Sequence, residues 1–149
     1  MQENFKIKVK YLSDIEPLKQ IDVGDAIDVR AAEDVDLIYM QSTKIHLGFC
    51  CKLPDGYLAF LSPRSSTFDK YGIIQTNSPG VIDSSFCGDN DEWCMPVIAL
   101  RTNVHIPKNT RIGQFTIIKK VPSDSKIEFE TVQSLNNKDR GSFGSTGEN

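Results

Sequence analysis

The sequence has no long apolar run. None of its apolar segments approaches the roughly 20 residues that a membrane-spanning helix needs. Its start, MQENFKIKVKYL, alternates polar and apolar side chains without a signal-peptide core, so we expect a cytoplasmic protein with no membrane partner. The sequence also lacks an excess of positive charge. Its 17 basic and 20 acidic residues give a net charge of −3, which argues against a nucleic-acid partner.

Histidine is scarce, and the cysteines lack the spacing of a metal site. The only histidines are His46 and His105, and the cysteines are Cys50, Cys51, Cys87 and Cys94. Adjacent cysteines such as Cys50 and Cys51 suit neither a zinc knuckle nor a disulfide framework. We therefore expect free thiols, some of them buried as small apolar residues, in preference to a zinc site.

No window of helical length carries an apolar stripe, and short strand patterns dominate instead. The candidate strands are residues 5–11, 26–31, 44–49, 57–61, 97–100, 112–118 and 126–132. Turn-forming residues separate them, and the best helix candidate, residues 65–71, is at most two turns long. This pattern predicts one all-β domain, a sandwich or barrel, over residues 1–135. Polar and small residues take over after Leu135, so we expect residues 136–149 to form a separate, mobile arm.

The segment PRSST directly follows an apolar strand. The guanidinium of Arg64 can bind phosphate oxygens with two parallel hydrogen bonds. Ser65, Ser66 and free backbone N–H groups at the start of a short helix would add donors for an anion. The ordinary alternative is a helix N-cap beside a solvated arginine.

The segment GVIDSSFCG carries an aspartate after two β-branched residues. A carboxylate held rigidly at a strand end, such as Asp83, can orient and deprotonate a water molecule. The preceding NSPG could form a hairpin whose backbone contacts the edge of a flat ligand. The alternative is an aspartate that only bonds the backbone of its own turn.

Two further segments are weaker signals. In RIGQF, Arg111 and Ile112 should point to opposite faces of a strand, and Gly113 would allow close approach to the backbone. In RGSFGSTG, an arginine, hydroxyl groups and glycines form an anion-binding set, and Phe143 could stack on a base. An ordinary exposed strand and a disordered tail are the respective alternatives.

Taken in order, GDAIDVRAAEDV, PRSST, NSPGVIDSSFCG, RIGQF and RGSFGSTG resemble the five motifs of the homotrimeric dUTPases. The resemblance covers residues 24–147, and the opening GDAID is similar to the Gram-positive bacterial and phage branch. It implies a jelly-roll β-barrel with a mobile C-terminal arm and a homotrimer whose subunits share the active sites. It also implies hydrolysis of dUTP to dUMP and pyrophosphate with Mg²⁺, which keeps uracil out of DNA and supplies dUMP for dTMP synthesis.

The resemblance also implies roles for individual residues. Asp83 would orient the water that attacks the α-phosphorus, and Asp28 would hold Mg²⁺ through water. Phe86 would lie under the deoxyribose. The uracil hairpin would include Asn77, Gly80, Val81 and Ile82. The phosphate-binding residues would be Arg64, Ser65, Ser66, Gln114, Arg140, Ser145 and Thr146. Phe143 would stack on uracil, with Trp93 as a second candidate because Phe143 lies only three residues after Arg140.

Two alternatives differ in function. A dCTP deaminase would share the fold, but its chemistry typically uses a glutamate shortly after the third motif, and Asp83 argues against it. A regulatory binding protein, as phage members of the family can be, would need a partner surface. The acidic segment 87–94 beside Trp93 is the candidate, with a plain surface loop as the simpler interpretation.

Overall fold

The computed structural model describes residues 4–135 and 138–141. Within those ranges the chain forms eleven β-strands and one short α-helix. The strands are β1 (Lys8–Tyr11), β2 (Ile27–Arg30), β3 (Val35–Leu37), β4 (Ser42–His46), β5 (Phe49–Lys52), β6 (Tyr57–Pro63), β7 (Ile73–Gln75), β8 (Gly80–Ile82), β9 (Cys94–Ala99), β10 (Val104–Ile106) and β11 (Arg111–Lys119). The helix α1 spans Thr67–Tyr71, within the predicted segment. The all-β prediction is confirmed.

Every strand pair is antiparallel. The largest sheet has the order β2-β11-β6-β8, and a three-stranded sheet has the order β4-β9-β7. Two-stranded pairs β1-β5 and β10-β3 complete the described sheets. Because β6 lies between β11 and β8, it connects the segments that carry RIGQF and GVID.

The core is organised around Trp93. Its ring is fully buried, 5.1 Å from the ring centre of Phe49 and 5.0 Å from that of Phe115. The suggestion that Trp93 stacks on uracil is therefore wrong, since the core already covers the indole on both sides. The acidic segment 87–94 therefore has no aromatic side chain from Trp93 at its surface. Its residues before β9 form a loop, in agreement with the interpretation of this segment as a plain surface loop.

A β-bulge in β11 sets the direction of its polar side chains. Arg111 pairs with Arg30 and Gly113 with Val29, so Ile112 is the extra residue. Arg111 is exposed and Ile112 buried, as predicted. A Cβ atom on Gly113 would lie 2.9 Å from the Met95 sulfur. The close approach predicted at Gly113 is therefore made by the protein core. Bulges commonly re-aim side chains beside functional sites.

Other strand predictions differ from the structure in detail. Residues 44–49 form two strands, because the chain turns at Gly48 with a φ of 77°. Residues 126–132 form no strand, since a strand needs a partner, and Phe129 there is 94% exposed. The strands β3, β7 and β10 escaped prediction because each has only three residues. The strand end expected before Asp83 is present as β8.

Two further expectations can be compared with the described residues. No helix in these ranges has the length and apolar character that crossing a bilayer requires. No disulfide joins the four cysteines, and Cys50 and Cys51 are buried, as the sequence predicted.

Candidate active site

A buried glutamine holds the hairpin between β7 and β8. Gln75 is 4% exposed, and its Nε2 lies 3.0 Å from the Leu61 carbonyl oxygen and 3.0 Å from the Asn77 carbonyl oxygen. The same Nε2 lies 3.2 Å from Asn77 Oδ1, and the Thr76 N–H donates to the Pro96 carbonyl oxygen at 3.0 Å. These contacts tie the hairpin to both β6 and β9. Gly80 leaves room for this amide, because a Cβ atom there would lie 3.0 Å from Gln75 Nε2.

The hairpin borders a cavity of about 440 Å³, which we call the nucleoside cavity. This volume lies within the range of small-molecule sites, about 300–1,000 Å³. The cavity is lined by Lys44, Asn77, Val81, Ile82, Asp83, Ser85, Phe86, Glu92, Cys94 and Pro96. The structure therefore brings five of the predicted site residues together around one recess. Its wall combines apolar side chains with an aromatic ring, an amide and a carboxylate.

Asp83 lies directly after β8 and is held by its own turn. The Ser85 N–H donates to Asp83 Oδ1 at 2.8 Å, and the Ser85 hydroxyl donates to the same oxygen at 2.7 Å. The backbone bond and then the hydroxyl bond lower the pKa of the Asp83 carboxyl, with a smaller contribution from the Lys120 charge. For Oδ1, the alternative interpretation is therefore correct, because this oxygen bonds the backbone of its own turn. The second oxygen, Oδ2, has no hydrogen-bond partner among the described residues, so it is free to accept a bond from water.

Three predicted site residues, Asp28, Arg64 and Gln114, lie together with Arg111, and we call these four residues the phosphate cluster. Arg64 Nε lies 3.1 Å from Asp28 Oδ1, and Arg111 Nη1 lies 3.3 Å from Asp28 Oδ2. Gln114 is the cross-strand partner of Asp28 on β2, and its amide donates to the Pro63 carbonyl oxygen at 3.2 Å. The Asp28 carboxylate therefore positions two guanidinium groups on the edge of the sheet.

The serines of PRSST are not used as helix caps. Ser66 is the N-cap of α1 but makes no side-chain cap hydrogen bond, and Ser65 is exposed. Thr67 holds this turn instead. Its hydroxyl accepts from the Arg64 N–H at 2.9 Å and donates to the Ile112 carbonyl oxygen at 3.2 Å. The hydroxyls of Ser65 and Ser66 are thus left available to a ligand, which disfavours the plain N-cap interpretation.

The nucleoside cavity and the phosphate cluster are separate within one chain. Neither Arg64, Ser65, Ser66 nor Gln114 lines the nucleoside cavity. Asp28 and Arg111 line a different recess of about 180 Å³. β8 borders the nucleoside cavity and lies on one side of β6, whereas β11 and β2 lie on the other side. The described chain therefore carries the predicted site residues on two separate surfaces.

The C-terminal candidates are described only in part. Arg140 is exposed and belongs to no strand or helix. Phe143, Ser145 and Thr146 lie outside the described residues, as do residues 136 and 137 of the predicted arm.

Sequence reasoning missed several residues that hold or line the site. Gln75 and Thr67 are buried polar side chains that fix the two loops, and Lys44 and Pro96 line the nucleoside cavity. A polar residue two positions after the buried Ile73 was a usable signal for Gln75, because positions two apart share a face of a strand. The sequence carried no comparable signal for Lys44, which enters the cavity from a distant strand.

Comparisons with known proteins identify the family of the chain. The family model for dUTPase matches residues 12–147. The SPbeta prophage-derived deoxyuridine 5'-triphosphate nucleotidohydrolase of Bacillus subtilis is 48% identical over 143 residues, which cover 95% of this chain and 98% of the relative. The resemblance to the Gram-positive bacterial and phage branch is therefore confirmed.

Solved structures share the fold. The Staphylococcus bacteriophage 80alpha dUTPase, solved with dUPNHPP, superimposes with a TM-score of 0.73 at 19% identity, covering 95% of this chain and 98% of that chain. A dUTPase variant from phage phi11 of Staphylococcus aureus, described for its coordination of a structural Mg(II) ion, gives a TM-score of 0.69 at 16% identity, covering 87% and 98%. These likenesses confirm the jelly-roll fold. With its five motifs, its fold and its sequence relatives in agreement, the chain belongs to the dUTPase family.

Proposed function

We propose that this chain hydrolyses dUTP to dUMP and pyrophosphate, the activity by which its 48% identical relative is named. The observation that carries the proposal is the nucleoside cavity, where Asn77, Asp83 and Phe86 line one recess. In a cell this reaction would keep uracil out of DNA and would supply dUMP for dTMP synthesis.

The nucleoside cavity would select the base and the sugar. Backbone groups of Asn77, Gly80, Val81 and Ile82 would contact the edge of uracil, and their position is fixed by Gln75. Phe86 is 38% exposed and lines the cavity. A ring under the deoxyribose leaves no room for a 2′-hydroxyl, so the cavity would exclude ribonucleotides.

Asp83 would act as the general base. Its ionised Oδ2 would accept a proton from a water molecule while the water oxygen forms a bond to the α-phosphorus. The bond from that phosphorus to the bridging oxygen of the β-phosphate breaks, and pyrophosphate leaves with the electron pair. The lowered pKa of Asp83 keeps the carboxylate in its ionised, basic form at neutral pH.

The phosphate cluster would bind the triphosphate. The Arg64 guanidinium and the Gln114 amide would supply donors, and Ser65 and Ser66 would add hydroxyls. The terminal phosphate would be contacted by Arg140, Ser145 and Thr146.

Bound Mg²⁺ would neutralise phosphate charge and orient the triphosphate. Asp28 fits an ion held through water, because each carboxylate oxygen lies against one arginine and keeps a lone pair for a metal-bound water.

We also propose that the active form is a homotrimer with shared sites. The separation of the phosphate cluster from the nucleoside cavity supports this, since a nucleotide must contact both surfaces. The stretch after β11 exposes apolar side chains that a neighbouring subunit would cover. Ile127 is 67% exposed, and Phe129 and Leu135 are each 94% exposed. Residues 136–149 would form an arm that closes over bound nucleotide, with Phe143 stacked on uracil.

A regulatory protein partner, suggested by the phage relatives, remains a prediction. Its candidate surface is the acidic loop 87–94, where Asp89 is paired with Lys10 at 3.6 Å and the Asp89 side chain is 86% exposed. Capture of a partner on the immobilised protein is compared with nucleotide and without it. Equal capture in both conditions would mean that nucleotide does not control the interaction.

Pyrophosphate release from each deoxynucleoside triphosphate and from UTP, with Mg²⁺ and with a chelator, tests the proposal. We expect rapid release from dUTP alone and loss of release with the chelator. Ammonia release from dCTP would instead identify a dCTP deaminase. Pyrophosphate release from all substrates at similar rates would rule out selection of the base and sugar by the nucleoside cavity.

A further inference from the structure

Three side chains to which the proposed reaction assigns no role converge beside the nucleoside cavity. His46 Nδ1 lies 3.0 Å from Glu92 Oε2 and 3.5 Å from Cys94 Sγ. The ligand atoms of all three residues lie within 4.8 Å of one another. We propose that His46, Glu92 and Cys94 bind a zinc-type transition-metal ion and leave a fourth coordination position open to solvent.

The backbone holds the three side chains on one face. His46 at the end of β4 is the cross-strand partner of Cys94 at the start of β9, so their side chains stand side by side. The pairing continues beyond the strand end, where the Leu47 N–H donates to the Trp93 carbonyl oxygen at 3.0 Å. The residues that alternate with them, Ile45, Leu47, Trp93 and Met95, are fully buried. Because the core fixes these neighbours, His46, Glu92 and Cys94 must face outward.

The distances suit a small tetrahedral ion. Bonds from Zn²⁺ to nitrogen, oxygen and sulfur of about 2.0–2.3 Å place the ligand atoms roughly 3.4–3.6 Å apart. The observed separations of 3.0 and 3.5 Å from His46 Nδ1 differ from this by a few tenths of an ångström. Small rotations of exposed side chains cover such a difference, since His46 is 49% and Glu92 23% exposed.

A catalytic Cys-His-Glu relay does not fit the same geometry. In a relay, the nucleophile and the orienting carboxylate bond different nitrogens of the imidazole. Here the thiol and the carboxylate both approach Nδ1 of His46. Nitrogen, oxygen and sulfur atoms that lie within 4.8 Å of one another can instead share one metal ion.

The ligand set also selects the kind of metal. A thiol and an imidazole favour zinc-type ions over Mg²⁺ or Ca²⁺, which prefer oxygen ligands. Glu92 and Cys94 also line the nucleoside cavity, so the ion would be an additional cationic centre in its wall.

Metal titration of the complete chain tests the site. After treatment with a chelator and its removal, the protein is titrated with Zn²⁺ against a chromophoric chelator, and separately with Co²⁺. We expect one Zn²⁺ per chain and a near-ultraviolet thiolate-to-cobalt band, whereas Mg²⁺ should produce neither effect. Because this readout requires no nucleotide, it fails or succeeds independently of the proposed hydrolysis.

Variants and matched controls identify the ligands. Cys94→Ser and His46→Gln should each weaken Zn²⁺ binding more than about 100-fold, beyond the 10–100-fold typical of losing an outer-shell partner. Cys87→Ser and His105→Gln should leave binding unchanged, since Cys87 is exposed elsewhere and His105 pairs with Asp36 at 2.7 Å without a thiol. Glu92→Gln preserves the shape of the side chain and should also weaken Zn²⁺ binding. It therefore tests the site independently of whether Cys94→Ser folds. No stoichiometric binding, or equal binding by ligand and control variants, would overturn the site.

Discussion

The nucleoside cavity and the phosphate cluster differ in construction. The nucleoside cavity is an open, largely apolar recess whose hairpin is fixed by a buried amide, Gln75. The phosphate cluster consists of charged groups on the edge of the sheet, where Asp28 holds Arg64 and Arg111 within 3.3 Å. The first surface borders β8 on one side of β6, whereas the second lies on the side of β11 and β2. Under the proposed function, base and sugar would be recognised within one subunit and the phosphates by another.

The largest expected effect is on the chemistry of the nucleoside cavity. Asp83→Asn removes the base but retains the shape of the side chain. It should therefore lower kcat by about 10²–10⁴-fold, the contribution of a general base, while dUTP binding is largely retained. Rapid-quench turnover and equilibrium binding together measure both quantities.

Asp91→Asn is the matched control for this substitution. Asp91 makes a similar turn contact, accepting from the Gly88 N–H at 2.8 Å, but does not line the cavity. Normal turnover by Asp83→Asn, or an equal loss by Asp91→Asn, would contradict the role of Asp83.

The next effect concerns the phosphate cluster. Arg64→Gln removes a fixed donor for the triphosphate and should lower kcat/KM by about 10²–10³-fold, as loss of one preorganised donor does. Steady-state kinetics with dUTP measures it. Arg30→Gln is the control, because the Arg30 charge is held by Glu16 at 3.1 Å, and it should change kcat/KM little. A similar loss in both variants would mean that the whole charged edge, rather than Arg64, binds phosphate.

A smaller effect is expected on sugar selection. Phe86→Ala opens space under the deoxyribose and should reduce the preference for dUTP over UTP about 10-fold or more, within the 10–200-fold range of steric pocket discrimination. The ratio of the two kcat/KM values measures it. Phe68→Ala alters an aromatic residue that is 44% exposed outside the cavity and should leave the preference intact. An unchanged ratio in Phe86→Ala would remove Phe86 as the sugar gate.

The smallest effect is on the pH dependence. The pKa of Asp83 is lowered, so the active carboxylate is lost only as pH falls through that lowered pKa, below the usual aspartate range. Ser85→Ala removes the hydroxyl bond but retains the larger backbone contribution. The acid limb of kcat/KM should therefore move to higher pH.

Ser84→Ala should not move the acid limb, because the Ser84 hydroxyl accepts from Lys120 at 2.9 Å and makes no bond to Asp83. A Ser85→Ala profile that coincides with that of the parent protein would mean that another group governs the acid limb.

The sequence predicted local features well. Alternation located most of the longer strands, and the turn residues before Asp83 and Arg64 identified the loops that form the two surfaces. These predictions are correct because the patterns behind them depend only on residues that are neighbours along the chain. The same reasoning proposed Trp93 as a surface aromatic, since nothing local indicates that Phe49 and Phe115 enclose it.

Features that depend on strand register were not predictable from one sequence. His46 and Cys94 are 48 residues apart in sequence but adjacent across β4 and β9, so spacing rules for metal ligands did not detect them. The bulge at Ile112 and the buried contacts of Gln75 likewise depend on pairing between distant strands. Residues 126–132 pair with no strand of the described chain, so their alternating pattern alone could not place them.

Mixing two inactive variants tests most directly whether the two surfaces come from different subunits. Asp83→Asn and Arg64→Gln chains are unfolded together in equal amounts, refolded, and compared with the parent protein treated identically. If each site combines Asp83 of one chain with Arg64 of another, random assembly restores about a quarter of the sites, so about a quarter of the parental turnover should return. Turnover no higher than the average of the two variants alone would mean that both surfaces act within one chain, and would contradict the account.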